Sequence, residues 1–499
     1  MTASTKLLSS EHRANDVDAR RQRIGRGTAR ERKAALGQFM TPRSIATFMA
    51  SLLPNAAGRD ASLLDAGAGI GSLTSAVLER QVNGDFNAPS LTVTAVELDE
   101  VLVPHLNETL RGYSGADPRI THEIIEADFL SVAMAMTGRG AAGFTHVILN
   151  PPYKKISSQS LERERLRSLG IETVNLYSGF VSASLLLTAT GGTICAIIPR
   201  SFCNGPYYRP FRNFVLDNAA LRRIHLFGSR SEAFSEDDVL QENLIIVLER
   251  GAIQSDVVLS SSRDASFRDL QAWSLPADAI IKPDDPERMI HLPTEDEAQG
   301  ILPRSFGQTL KGIGLQVSTG PVVDFRMRDH LRADPQADAV PLLYPVHFVG
   351  GRLVWPREGI KKPNAIIDNE ETRRWLFPRG TYVLVRRFSS KEERRRVVAT
   401  LVREGEIPTP FVGFENHLNV FHVAKSGLDA TIAAGLTVYL NSTLVDLHFR
   451  TFSGHTQVNA TDLKNLPYPS TEVLVELGRD ALERPLTQVE IDSRLERFS

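Results

Sequence analysis

Between residues 62 and 249 the chain alternates apolar runs of strand length with stretches of helical spacing, and that alternation leaves few architectures open. Residues 62–66, 91–96, 120–125, 144–149, 192–198 and 243–248 read as strands, and 72–80, 101–110, 176–188 and 207–217 as helices between them. Parallel strands need crossovers, and helices are the usual crossover, so the pattern predicts an α/β domain on a mostly parallel sheet. Such sheets place ligands at the carboxyl ends of their strands. The residues just after each strand are where chemistry is to be sought.

At 499 residues the chain is long enough for two or three domains, and 42% apolar with 23% charged residues is ordinary for a soluble globular protein. The N-terminus is polar and the longest apolar stretches are strand-length, so a cytoplasmic protein is expected. Composition divides it into a basic arm at 1–33, a first domain at 34–255, a connecting segment at 256–300, a second domain at 301–470 and a tail at 471–499. The second domain lacks the strand-helix rhythm and mixes short strands with turns, which predicts an α+β fold. Net charge is only −2, too small for a protein that simply coats nucleic acid. Its distribution is uneven: residues 1–43 hold ten Lys/Arg against four Asp/Glu, and residues 304–464 hold twenty-two against sixteen. Two cysteines, Cys195 and Cys203, make neither a disulfide framework nor a four-ligand zinc site and are expected to be buried.

The first strand runs into Asp65-Ala66-Gly67-Ala68-Gly69-Ile70-Gly71, where three glycines let the main chain turn tightly and approach a ligand. A dinucleotide site would give a similar turn, so the ends of the later strands must separate the two. The second strand ends in Val96-Glu97-Leu98-Asp99, and a carboxylate there can hold both ribose hydroxyls of an adenosine. The third ends in Glu126-Ala127-Asp128-Phe129, offering an acceptor for an adenine amino group and a ring to pack on the base. Singly, each acid reads as readily as a helix cap or a solvated turn; in order at successive strand ends they describe a nucleoside pocket. The fourth strand ends in Asn150-Pro151-Pro152-Tyr153. The Asn150 amide oxygen and the Pro151 carbonyl can each accept one N–H of a planar amino group while the Tyr153 ring stacks on the base that carries it. The two prolines hold the segment out of a helix, although in isolation the four residues would read as a turn.

These motifs, in this order, resemble the class I S-adenosylmethionine-dependent methyltransferases, and among them the N6-adenine DNA methyltransferases of the gamma arrangement. There the cofactor motifs come first, the catalytic tetrapeptide next and a target-recognition domain last. The resemblance implies a Rossmann-like sheet, S-adenosylmethionine as cofactor, and cofactor contacts from Asp65, Ala66, Gly67, Gly69, Gly71, Glu97, Leu98, Asp128 and Phe129. It begins before the sheet, because Gly37-Gln38-Phe39-Met40-Thr41-Pro42 looks like the family's N-terminal cofactor motif, which implies that Phe39 and Thr41 lie at the methionine moiety. Downstream, Asn175-Leu176-Tyr177-Ser178-Gly179-Phe180 looks like the segment after the active-site loop. The stretch Phe227-Gly228-Ser229-Arg230-Ser231-Glu232-Ala233-Phe234 resembles the one whose phenylalanine contacts the extruded base in the TaqI-type enzyme, a role that falls on Phe234. Two acceptors on the amino group favour a pyramidal nitrogen whose lone pair attacks the methyl group directly, with no covalent intermediate and no metal. Methylation at cytosine C5 would need a thiolate, which the family places in a Pro-Cys pair, and neither cysteine here follows a proline. N4-cytosine enzymes share the logic but usually carry Ser where Asn150 stands.

The same tetrapeptide serves methyltransferases of protein glutamines and of RNA, so the C-terminal domain must decide the substrate. Base chemistry in a duplex requires the target nucleotide to be swung out and its surroundings gripped. Arg386, Arg387, Lys391, Arg394, Arg395 and Arg396 are candidate phosphate contacts, and His417, Asn419, His455, Gln457 and Asn459 can hydrogen-bond base edges. A solvated basic strand with capping turns would look the same. Together these segments look like the recognition domain of type II restriction-modification methylases, most like the PstI/BsuBI group. The expectation is a site-specific adenine-N6 DNA methyltransferase that protects host DNA, with double-stranded DNA as partner and a cognate endonuclease on a separate chain. The alternatives are an RNA or protein-glutamine methyltransferase with an accessory domain, or an inactive methyltransferase-fold DNA-binding protein.

Overall fold

The computed structural model describes residues 3–27, 40–139, 143–227, 243–293, 306–389, 393–452, 457–482, 484 and 486–498. The chain forms two compact units, Met1–Ile290 and His291–Ser499.

In the first unit nine strands make one sheet, in the order β3-β2-β1-β4-β5-β7-β6-β8-β9. They are β1 (Ala61–Ala66), β2 (Leu91–Glu97), β3 (Ile120–Glu126), β4 (Phe144–Leu149), β5 (Thr188–Pro199), β6 (Ala219–Phe227), β7 (Asn243–Arg250), β8 (Val257–Ser262) and β9 (Gln271–Leu275). The first five are parallel, and β7 runs antiparallel between β5 and β6. Strand order reverses between β1 and β4, which opens a crevice at their carboxyl ends. Helices α1 (Ala3–Gly27), α2 (Arg43–Leu52), α3 (Ser72–Asn83), α4 (Val103–Ser114), α5 (Phe129–Gly138), α6 (Leu161–Ser168), α7 (Leu176–Leu187) and α8 (Arg209–Asn218) complete the unit. On one face of the sheet Ile45 and Met49 of α2 and Val77 and Leu78 of α3 bury against Leu63, Val93, Ile148, Ile197 and Ile245. Both cysteines are buried and unpaired as disulfides.

Two sequence expectations change here. Residues 219–227 carry no strand signal because Arg222, Arg223 and His225 interrupt the apolar run, yet β6 is an interior strand. It tolerates His225 because both ring nitrogens meet hydroxyls of β8, Ser260 at 3.0 Å and Ser262 at 3.1 Å. The segment 256–300, expected to connect domains, instead adds β8 and β9 to the sheet. Within the basic arm residues 3–27 form α1, where Val17 packs with Ile70 and Leu102 and the Asp18 carboxylate accepts from Arg21 and from the Arg43 backbone N–H.

The second unit holds a four-stranded sheet and a five-stranded sheet. In the first, Leu418–His422 lies between Gln316–Thr319 and Tyr382–Arg386, all antiparallel. In the second, Ala339–Leu343 pairs with Ala365–Ile367 and Phe411–Phe414. The C-terminal segment, whose sequence suits a polar helix or a frayed end, holds two helices, Thr471–Gly478 and Gln488–Glu496. Thr471–Gly478 crosses Ala430–Leu440 so closely that a Cβ on Gly435 would lie 1.8 Å from the Leu474 carbonyl oxygen, and one on Gly478 would lie 2.0 Å from that of Thr431. Only glycine permits that crossing. Among the described residues, no single helix is long and apolar enough to cross a membrane.

Candidate active site and recognition surface

The turn after β1 and the ends of β2, β3 and β4 open onto one cleft. Gly67 and Gly69 line it from the turn, Glu97 and Leu98 from β2, Asp128 and Phe129 beyond β3, and Asn150 and Pro152 beyond β4, with Thr41 at the entry to α2. The turn takes left-handed backbone at Gly67, Gly69 and Gly71, with φ of 83°, 58° and 85°. Glu97, only 3% exposed, ties it to β2: Oε2 accepts the Gly69 N–H at 2.7 Å, and Oε1 accepts those of Leu98 and Asp99 at 2.9 and 2.7 Å. Burial raises the pKa of this carboxyl, and the three N–H bonds offset part of the rise. Carboxylate oxygens carry about four lone-pair sites between them, and these N–H bonds take up three.

Asp128 caps α5, with Oδ2 accepting from the Ser131 N–H at 2.9 Å and hydroxyl at 3.0 Å, and it pairs with Arg165 of α6 at 2.8 Å. The cap and the binding-site readings of Asp128 are therefore compatible. Beside it the rings of Phe129 and Phe180 meet at 4.9 Å, tilted by 46°, as an aromatic wall. Met40, Ile70, Leu176 and Phe180, which stand in motifs quoted from the sequence without a role of their own, also line the cleft, as do Leu102, Lys154 and Glu162, which stand in none. Resemblance picks out the segment 175–180 but not the place of Phe180 in the cleft, because within the apolar α7 it reads as one more core phenylalanine.

Three expected cofactor residues stand back from the cleft. Ala66 is fully buried in β1, and Gly71 N-caps α3, with a Cβ there falling 3.0 Å from Leu106 and 3.2 Å from Thr109. Asp65 is fully buried beneath the turn, its Oδ2 accepting from the Thr74 hydroxyl at 2.6 Å and its Oδ1 without a hydrogen-bond partner among the described residues. Burial, with the nearby Glu97 adding to it, pushes its carboxyl pKa up to about 7 against the Thr74 hydrogen bond. The folded protein thus holds a proton on Asp65, between about pH 4 and about pH 7, that the unfolded chain has released. The associated stability is complete below about pH 4 and is lost as pH rises through about 7. Asp65→Asn is expected to remove this dependence, so the variant gains on the wild type between about pH 5 and about pH 8. Urea unfolding midpoints at the two pH values check it, and an unchanged difference would refute it. Phe39 and Phe234 lie outside the described residues.

At the end of β4 the Asn150 amide is held from both sides. Nδ2 donates to the Thr41 hydroxyl oxygen at 3.0 Å, and the Tyr153 hydroxyl donates toward Oδ1 at 3.1 Å and the Ile197 carbonyl of β5 at 3.2 Å. Burial raises the Tyr153 pKa, so its hydroxyl stays a donor. Its ring meets Tyr177 edge-on at 6.2 Å, while the Pro151 ring is buried and Pro152 faces the cleft. The Lys154 carbonyl accepts the Leu176 N–H at 2.7 Å, which laces residues 175–180 to this loop.

In the second unit the three basic and amide-rich segments converge. Val458 N–H donates to the Arg387 carbonyl at 2.7 Å, Arg387 N–H to the His417 carbonyl at 2.9 Å, and Phe388 bridges Gln457 in antiparallel register. Not every candidate faces outward, however. Arg396 is fully buried beside the Ser389 hydroxyl, its guanidinium 5.6 Å from the Phe449 ring centre, and half-buried Arg395 donates to the Asn441 carbonyl. Asn419 is fully buried and donates to the Val458 carbonyl at 2.7 Å, and Asn459 caps Ala460–Lys464 through a reciprocal pair with Asp462. These four are structural, and a run of three arginines does not reveal in sequence which one points inward. Arg394 is exposed, and Arg386 pairs with Glu393 at 2.8 Å. Lys391 and His455 lie outside the described residues. Arg396→Ala is expected to cost roughly 2–4 kcal/mol of stability, and Arg394→Ala less than about 0.5, as urea titration would measure. Similar losses at both positions would refute the inward assignment.

Sheet order, the position of the cleft and the oriented tetrapeptide amide are together those of the class I methyltransferase fold. Residues 95–234 match the family described as Eco57I restriction-modification methylase. The type II methyltransferase M.BsuBI of Bacillus subtilis is 48% identical over 476 residues, 93% of this chain and 94% of its own length. M.PstI of Providencia stuartii, also a type II methyltransferase, is 41% identical over 471 residues, 92% of each. The chain belongs to this family of type II restriction-modification methyltransferases.

Proposed function

We propose that this protein transfers a methyl group from S-adenosylmethionine to N6 of an adenine swung out of duplex DNA, at a defined sequence, as the protective member of a restriction-modification system. The observation that carries this reading is the Asn150 amide, oriented by Thr41 and Tyr153 in the same cleft as Glu97 and Asp128. The residues present fit the donor: Glu97 for the ribose hydroxyls, Asp128 for the adenine amino group, Phe129 and Phe180 for the base, and Thr41 with the glycine turn for the methionine end. When bound, S-adenosylmethionine supplies a methyl group activated by a positive sulfonium sulfur.

Everything else comes from the chain. Asn150 Oδ1 and the Pro151 carbonyl each accept one N–H of the target amino group, which concentrates the nitrogen lone pair toward the methyl donor. An amide oxygen accepts two hydrogen bonds, so Tyr153 can keep its hold on Asn150 while its ring stacks on the base. Burial raises the Cys195 thiol pKa and both cysteines are buried, so neither presents the thiolate that cytosine C5 chemistry needs. The names of M.BsuBI and M.PstI as type II methyltransferases and the restriction-modification methylase match support a modification role; a cognate endonuclease on a separate chain is part of the proposal. Long-read sequencing of DNA from cells expressing the protein tests the proposal. A defined N6-methyladenine motif that disappears with Asn150→Ala is expected; no modified motif with the intact protein would overturn it.

A further inference from the structure

The convergence of three loops in the second unit sets the hydrogen-bonding polarity of the side chains it presents. Arg387 is its hub, with Nη1 donating to the Asn416 carbonyl at 3.2 Å and Nη2 to Gln457 Oε1 at 3.4 Å. A guanidinium has donors only, so the atom of Gln457 turned toward it must be the carbonyl oxygen. The amide NH2 is then the group left to face a ligand, and among the described residues it has no partner. Around it, Phe388 is 45% exposed, and its ring meets the His417 imidazole at 5.0 Å. His417 is half-exposed and held from behind by Glu415, a fully buried carboxylate 2.5 Å from Nδ1. An exposed aromatic ring beside an outward amide donor and an imidazole, backed by Arg386 and Arg387, suits a stack of bases within a phosphate-lined groove.

We propose that Gln457 reads the N7 acceptor of a purine in the major groove, and that Arg387 is the positioning residue that sets its polarity. Phe388 and His417 flank that base edge and supply apolar contact. This rests on the reading of duplex DNA as substrate. It separates Gln457 from Asn419 and Asn459, amides of equal promise in sequence whose side chains the fold uses internally.

The test is a protein–DNA mutant cycle on the duplex motif found by methylation mapping, with each purine in turn replaced by its 7-deaza counterpart and binding followed by fluorescence anisotropy. For the wild type, one position outside the target base is expected to weaken binding roughly ten-fold. Gln457→Glu keeps the Arg387 contact as an ion pair but loses the outward donor. It is expected to bind the unmodified duplex roughly ten-fold more weakly and to show no further loss at that position. Gln457→Met, which adds no charge, is expected to give the same cycle, so repulsion from the duplex cannot imitate the result. Unchanged sensitivity of both variants at every purine, or no sensitive position for the wild type, overturns the assignment. If the wild type still methylates its motif in that case, the DNA reading stands; if it neither binds nor methylates any duplex, both fall.

Discussion

Asn150→Ala is expected to lower kcat for methyl transfer roughly a hundred- to a thousand-fold while affinity for S-adenosylmethionine stays within about three-fold. The amide oxygen acts on the target amino group, and its hydrogen bond strengthens as positive charge develops on that nitrogen. Its removal therefore raises the barrier rather than weakening the ground state, by roughly 3–4 kcal/mol for one oriented acceptor in a water-poor site. The fold should tolerate the change, because what is lost is a contact to the Thr41 hydroxyl and one from Tyr153, which keeps the Ile197 carbonyl within reach. Asn150→Asp is the informative companion. It retains an acceptor, and the Thr41 hydroxyl can rotate to donate to it, so it should keep more activity than the alanine variant. Single-turnover methylation with saturating cofactor, beside equilibrium dialysis of the cofactor, separates the two quantities. A variant whose loss lies wholly in cofactor affinity would show that Asn150 belongs to the donor side of the cleft.

Glu97→Gln is expected to give the opposite split, with cofactor affinity falling roughly 10- to 100-fold and kcat at saturation changing little. Its carboxylate accepts three backbone N–H bonds, from Gly69, Leu98 and Asp99. An amide puts an NH2 donor against at least one of these donors. Hydrogen bonds to a charged group contribute about 1.5–3 kcal/mol, and leaving a buried partner unsatisfied costs about as much again. The loss is common to ground and transition states because the ribose lies away from the reacting methyl group, so KM moves rather than kcat. Isothermal titration of the cofactor checks this, and unaltered affinity would remove Glu97 from the ribose site.

The contrast between these two variants reflects the way the site is built. Most strands of the first unit and the motifs that follow them were legible in the chain, since each motif sits directly after an apolar run and a parallel sheet collects such ends on one edge. Phe144–Leu149 has the bounds read for it, because Val147, Ile148 and Leu149 are buried and the polar Thr145 and His146 before them find partners in the Ser62 and Pro54 carbonyls. β6 escaped notice for the converse reason, its charged and imidazole side chains being satisfied by partners more than twenty residues away in sequence. The same limit governed the binding residues. Asp65 stands in the glycine motif, yet the alternation of a strand and the tuck of the turn place it underneath, where burial and not a ligand shapes its chemistry.

The kinds of residue and their order along the chain were enough to predict an α/β sheet whose glycine turn, acidic strand ends and Asn150 tetrapeptide gather at one cleft, because those properties depend on local spacing and on the ends of strands. Which of several chemically equivalent side chains is presented depends on contacts between distant segments. Arg396 and Arg394 differ by two positions and Asn459 and Gln457 by two, but Arg396 is buried where Arg394 is exposed, and Asn459 is spent on a cap where half-buried Gln457 meets Arg387. Burial and hydrogen-bond polarity are properties of the packed surroundings, and only the folded chain brings Arg387 to Gln457, Glu415 to His417 and Thr41 to Asn150.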